Sequence, residues 1–133
     1  MSKSLIQLAN TSPGALEAGA QIPLGNVVRR FGCNCRLSGN AVELEGAGYY
    51  TIDAAITVTP DAIGNITVTA YLDNVPIPAA AAVGSVDTIS DSVTLPITAT
   101  VRLGCCFEGA AQLTFTIDNA ADFVSSSVRV EKA

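Results

Sequence analysis

Apolar and polar residues alternate one by one along most of this chain. In Gly48–Pro60, read GYYTIDAAITVTP, Tyr50, Ile52, Ala54, Ile56 and Val58 share one parity, and Thr51, Asp53, Ala55, Thr57 and Thr59 share the other. A period of two places the first set on one face of a strand and the second set on the opposite face. Val93–Leu103 repeats the pattern, with Leu95, Ile97, Ala99 and Val101 set between Thr94, Pro96, Thr98, Thr100 and Arg102. Ile66–Leu72 and Leu113–Ile117 alternate in the same way, and Phe123–Glu131 reads as a closing strand.

Shorter strands are predicted at Leu5–Leu8, Val27–Arg30, Cys33–Leu37 and Ala41–Glu45, the last two joined by a turn at Ser38–Asn40. Turn residues fill Pro60–Asn65, Asp73–Asn74, Gly104–Gly109 and Asp118–Asp122, and Asn10–Gln21 reads as a loop. Val75–Pro78 reads as an edge strand, because Pro76 and Pro78 have no N–H to give a ladder. Ala79–Ser92 is ambiguous and fits a short strand within a long connection. No segment carries a helical period with caps. The expected core is Ile52, Ile56, Val58, Val68, Leu72, Leu95, Ile97, Val101, Leu113, Phe115 and Ile117.

Eight to ten strands in 133 residues make one all-β domain over residues 1–133, with 1–21 as an N-terminal strand and loop segment. The architecture that fits is a two-sheet antiparallel jelly-roll sandwich. An immunoglobulin sandwich fits less well, since the chain has no Trp to bury against a Cys pair.

Composition narrows the function. Charged residues make up only 14% of the chain, against about 25% in an average soluble domain, so part of the surface is expected to be covered by other subunits. The net charge of −5 and a pI near 4.4 argue against a groove that tracks phosphates, so no nucleic-acid partner is expected. The absence of His removes the usual proton shuttle and the commonest metal ligand. No apolar run reaches 18 residues, so no membrane insertion is expected. MSKSLIQLAN holds no run long enough for a signal peptide, so synthesis in the cytoplasm is expected.

The remaining chemistry is sparse. Cys33 and Cys35 share a face if both lie in a strand, whereas Cys105 and Cys106 point apart. Three states fit them: reduced thiols, a disulfide between the two segments, or a thiolate metal site, the last with spacing unlike structural zinc. Asp53, Glu43 and Glu45 are the carboxylates a glycoside hydrolase would need. Glu43 and Glu45 alternate with Val42 and Leu44, however, and read as the wet face of a strand. No catalytic residue, cofactor or metal is assigned.

The ordered set GAGYYTIDAAITVTP, YLDNVPIP and LPITATVRLG, preceded by IPLGNVVRRFGCNCRLSGNAVELE, resembles the tumour-necrosis-factor-like family, which includes the globular heads of the first complement component. The resemblance is strongest to bacterial and phage versions and runs from Ile22 to Val130. It implies a ten-stranded jelly roll packed as a homotrimer. It also implies a non-enzymatic head of a fibre, adhesin or surface layer, on a phage, prophage or spore particle, that contacts a cell-surface protein or glycan. A decoration or cementing protein without a ligand is the alternative, and a surface-glycan hydrolase the third reading. The virion or the bacterial or spore surface is the implied location. Some relatives bind calcium, which would fall here on Asp73–Asn74 or Asp87 and Asp91, residues that turns also use. The chain departs from secreted relatives in its four cysteines and its lack of a collagen-like stalk. The trimer contact is expected on the small-residue faces of the long strands, at Thr51, Ala55, Thr57, Thr98 and Thr100, with Tyr49 and Tyr71 as the large groups.

Overall fold

The computed structural model describes residues 4–88, 91–104 and 110–132. Eleven strands follow in order: β1 (Ser4–Asn10), β2 (Gly14–Leu16), β3 (Asn26–Phe31), β4 (Cys35–Ser38), β5 (Ala41–Glu45), β6 (Gly48–Pro60), β7 (Gly64–Leu72), β8 (Val75–Val86), β9 (Val93–Leu103), β10 (Ala110–Ile117) and β11 (Ala121–Lys132). They form two antiparallel sheets. The first runs β3-β1-β11-β6-β9, with β2 on the far end of β11, and the second runs β4-β5-β10-β7-β8. Sequence neighbours repeatedly fall in different sheets, which makes the sandwich a jelly roll.

The alternation decides which face is buried. Tyr50, Ile52, Ala54, Ile56 and Val58 of β6 all point between the sheets, against Ile66, Val68 and Ala70 of β7, Leu95 and Ile97 of β9, and Leu113, Phe115 and Ile117 of β10. Ten of the eleven expected core residues are buried. Leu72 is the exception: it is only partly buried, because it closes β7 at the hairpin and the sandwich opens there.

Three expectations need correction. Asn10–Gln21 is not all loop. It contains β2, and then Gly19 and Ile22 donate backbone N–H bonds to Ile117 and Phe115. This segment continues the edge of β10 beyond β5 and drives Ile22 and Leu24 fully into the core. Ala79–Ser92 is not a short strand within a long connection, since one long strand, β8, runs from Val75 to Val86. Thr69 faces Ala81 while Tyr71 faces Pro76, so Ile77–Ala80 form surplus chain bulging around the prolines. Gly84 lets β8 approach β9: a Cβ there would lie 2.6 Å from Val93 Cγ2 and 2.7 Å from Leu95 Cδ2. Finally, Cys33 and Cys35 do not share a face. Cys33 is exposed in the bend before β4, and Cys35 is buried as its first residue.

Candidate interaction surface

The outward parity of the first sheet builds a broad face from five strands. Residues paired across strands lie side by side on one face, so the register can be read as transverse rows. One row runs Phe31, Leu5, Glu131, Thr51, Thr100, and the next Arg29, Gln7, Arg129, Asp53, Thr98. The third runs Ala9, Ser127, Ala55, Pro96. On the β6–β9 half the side chains are small: Thr51, Ala55, Thr57, Thr94, Pro96, Thr98 and Thr100. The Thr57 and Thr94 hydroxyls share a hydrogen bond of 2.9 Å.

Near the centre of this face the charges are paired. Arg129 reaches Asp53 at 3.2 Å and Glu131 at 3.9 Å. At the end of β6, the Arg102 guanidinium lies 6.0 Å from the ring centre of Tyr49, within cation–π range. Arg129 and Gln7 were not singled out from sequence. Their strands alternate legibly, but no local signal says that β11 and β1 flank β6.

Six of the seven expected interface residues come together on this face: Tyr49, Thr51, Ala55, Thr57, Thr98 and Thr100. Tyr71 does not join them. It lies on β7 in the second sheet, between Thr114 and Pro76. The carboxylates are divided in the same way. Asp53 is on the first sheet, whereas Glu43 and Glu45 are on the second and both reach Arg36, at 3.1 and 3.3 Å. Asp53 therefore cannot work on one bond together with either of them.

The cysteine end of the sandwich holds a polar knot. Ser4 Oγ donates to Asn34 Oδ1 at 2.6 Å, Asn34 Nδ2 donates to the Glu45 carbonyl, and the Tyr50 hydroxyl lies 2.9 and 2.8 Å from the carbonyls of Glu45 and Gly46. Burial pushes the Cys35 thiol up to about 11, against smaller opposing effects of Arg30 and Lys132. Burial also pushes the Tyr50 phenol up to about 12, with Cys35 adding to the rise. Both groups are neutral at ordinary pH. Cys105 and Cys106 lie outside the described residues.

The turn acids serve the backbone. The Asp73 carboxylate accepts the Gln112 N–H at 2.9 Å, and Asp118 accepts that of Thr67 at 2.7 Å. Among the described residues no three His, Cys, Asp or Glu side chains gather as a metal site would require. At the end of the sandwich opposite the cysteines, the β6–β7 and β10–β11 loops enclose a cavity of about 390 Å³ between Asp61–Ile63 and Asn119–Ala120.

Two antiparallel sheets, crossing connections and a broad small-residue face define a jelly-roll module. No family sequence model matches the chain, and no curated protein matches it in sequence. Solved structures do. Murine APRIL superposes with a TM-score of 0.73 at 12% identity, over 99% of this chain and all of that one. Eiger TNF from S. frugiperda gives 0.71 at 10%, over 98% and 91%. PRD1 vertex protein P5 gives 0.63 at 14%, over 97% of this chain and 72% of that one. The chain has the tumour-necrosis-factor-like jelly-roll fold.

Proposed function

We propose that this chain is a non-enzymatic, homotrimeric structural and binding module of a phage, prophage or spore-surface particle. In this reading it is a fibre head that meets a protein or glycan receptor on a host or other surface. The observation that carries the reading is the outer face of the β3-β1-β11-β6-β9 sheet. Small side chains on the β6–β9 half let a second sheet approach closely, and the central charges Asp53, Arg129 and Glu131 are already paired within the chain. The fold shared with a vertex protein supports the particle setting. The separation of Asp53 from Glu43 and Glu45 weighs against a hydrolase. In a closed ring the loops at one end of each copy come together, so three weak sites act at once. The loop cavity beside Asp61 and Asn119 is where a receptor group would enter.

Light scattering of the purified protein at micromolar concentration tests the assembly. Three times the 13.6 kDa subunit mass is expected, and the mass of one subunit overturns the reading. A glycan array then separates a receptor-binding head from a decoration protein. A head with a glycan receptor retains at least one surface glycan; when none is retained, binding of the labelled protein to whole cells before and after protease treatment separates a head with a protein receptor, which binds only untreated cells, from a decoration protein, which binds neither.

A further inference from the structure

We infer that the outer face of the second sheet carries a shallow site for a neutral sugar unit, centred on Tyr71. The inference rests on the binding-module reading above and gives it a ligand class, but it does not need the trimer. Tyr71 leaves the core on β7, opposite Thr114 of β10 on one side and Pro76 of β8 on the other. Thr114 also points outward, since its neighbours Leu113 and Phe115 are fully buried. It is nevertheless only 6% exposed. The cause is a hollow of about 250 Å³, lined by Gly19, Gln21, Tyr71, Asn74, Thr114 and Thr116, with Thr114 low in it. The wall across from Tyr71 is the run from Gly19 to Gln21. Gly19 donates its N–H to the Ile117 carbonyl at 2.8 Å and Gln21 bridges to Thr116, so this run lies along β10 where β5 has ended. Asn74 closes one end from the β7–β8 turn. The proposed subunit contact uses the opposite sheet, so the hollow stays open in the assembly.

The lining selects the ligand class. No charged side chain borders the hollow. Among the described residues the side chains of Gln21, Tyr71, Asn74, Thr114 and Thr116 make no hydrogen bond within the protein. Hydroxyls and carboxamides both donate and accept, which matches the hydroxyls of a sugar. The Tyr71 ring adds an apolar face with a negative quadrupole, against which the C–H face of a pyranose packs. An ion would lose water here and find no counter-charge. A purely apolar ligand would cover five polar side chains without pairing them. An extended peptide needs a free strand edge, whereas β7 and β10 are interior strands with a neighbour on each side. The loop cavity beside Asp61 is a separate place: it lies past the other end of β7 and carries a carboxylate.

The test is amide-resolved NMR of the isotope-labelled full chain, titrated with the methyl glycosides of glucose, galactose, mannose and N-acetylglucosamine. At least one glycoside is expected to shift the Tyr71, Thr114 and Thr116 amides saturably, with a Kd of about 1 mM, as a single shallow contact allows. Tyr71→Ala should weaken that binding about tenfold, and Tyr71→Phe, which keeps the ring, should hold most of it. If Tyr71→Ala does not fold, Gln21→Ala at an exposed position takes its place, with a weakening of about fivefold. Silence at these amides with all four glycosides overturns the site. An equal response to acetyl-trialanine amide, a neutral peptide, overturns the sugar as its ligand. Shifts confined to the amides around Asp61 and Asn119 overturn the site and leave the binding-module reading intact. Whole-cell binding tests that reading separately.

Discussion

Ile97 shows what a single residue does in this fold. It sits mid-strand on β9, 3% exposed, with its neighbours Pro96 and Thr98 facing out. Ile97→Ala removes buried methyl groups and leaves a cavity, so a loss of about 2–5 kcal/mol is expected in urea unfolding. A loss under about 1 kcal/mol would mean that the site collapses freely or that the face is inverted. Cys35 and Tyr50 give a second residue-scale expectation. Their folded values are raised, to about 11 and about 12, from ordinary values of 9.0 and 10.0. Groups raised in this way stabilise the fold in full below the unfolded value, and that contribution is lost as pH rises through the folded one. Thermal melts should therefore hold steady at neutral pH and decline from about pH 9 to about pH 12. Tyr50→Phe should flatten the upper part of that decline.

At the scale of elements, the turns and the close approaches set the register. Asp73 and Asn74 have φ of 51° and 66° in the two-residue connection from β7 to β8, the backbone of a type I′ hairpin. Asn tolerates this region, whereas a β-branched residue is crowded against its own carbonyl. Asn74→Val should cost about 1–2 kcal/mol in chemical denaturation. The same stability as the parent would show that the hairpin rebuilds with another turn. At β8 and β9, Gly84 leaves no room for a Cβ. Gly84→Ala forces Val93 and Leu95 aside and should cost about 1–3 kcal/mol by the same measurement. Much at this scale was legible in advance. β6, β9 and β10 carry the alternation and emerge as strands where it predicts them, whereas β11 changes parity at a bulge between Phe123 and Ser125. β8 was not legible past Pro78, because Ala80–Ala82 has no polar partner set to mark two faces. The run before Ile22 was equally opaque: its strand character comes from bonds to Phe115 and Ile117, nearly a hundred residues away in sequence.

For the whole molecule, the question is what covers the outer face of the first sheet. Asp53 and Arg129 are exposed in the single chain, and a pair in that setting is worth only about 0–1 kcal/mol. Asp53→Asn should therefore barely move the melting of a dissociated subunit. In an assembled trimer the same pair would be shielded from water, and removing Asp53 would leave Arg129 only the longer contact to Glu131, at 3.9 Å. Sedimentation across a dilution series should then show the variant dissociating at higher concentration than the parent. Equal dissociation would place the pair outside the contact.

The sequence by itself determined the all-β class, the long strands, nearly all of the core and the parity of the candidate interface. Each of those follows from a period of two, and a period of two is a local property of the chain. Only the tertiary structure decided which outward faces belong together. It set Tyr71 on the sheet opposite Tyr49, separated Asp53 from Glu43 and Glu45, joined Asp53 to Arg129, and aligned Phe31 with Thr100 across five strands. Parity says that a side chain leaves the core. Strand order and register say what it finds on the other side, and these are set by long-range pairing that no local pattern encodes.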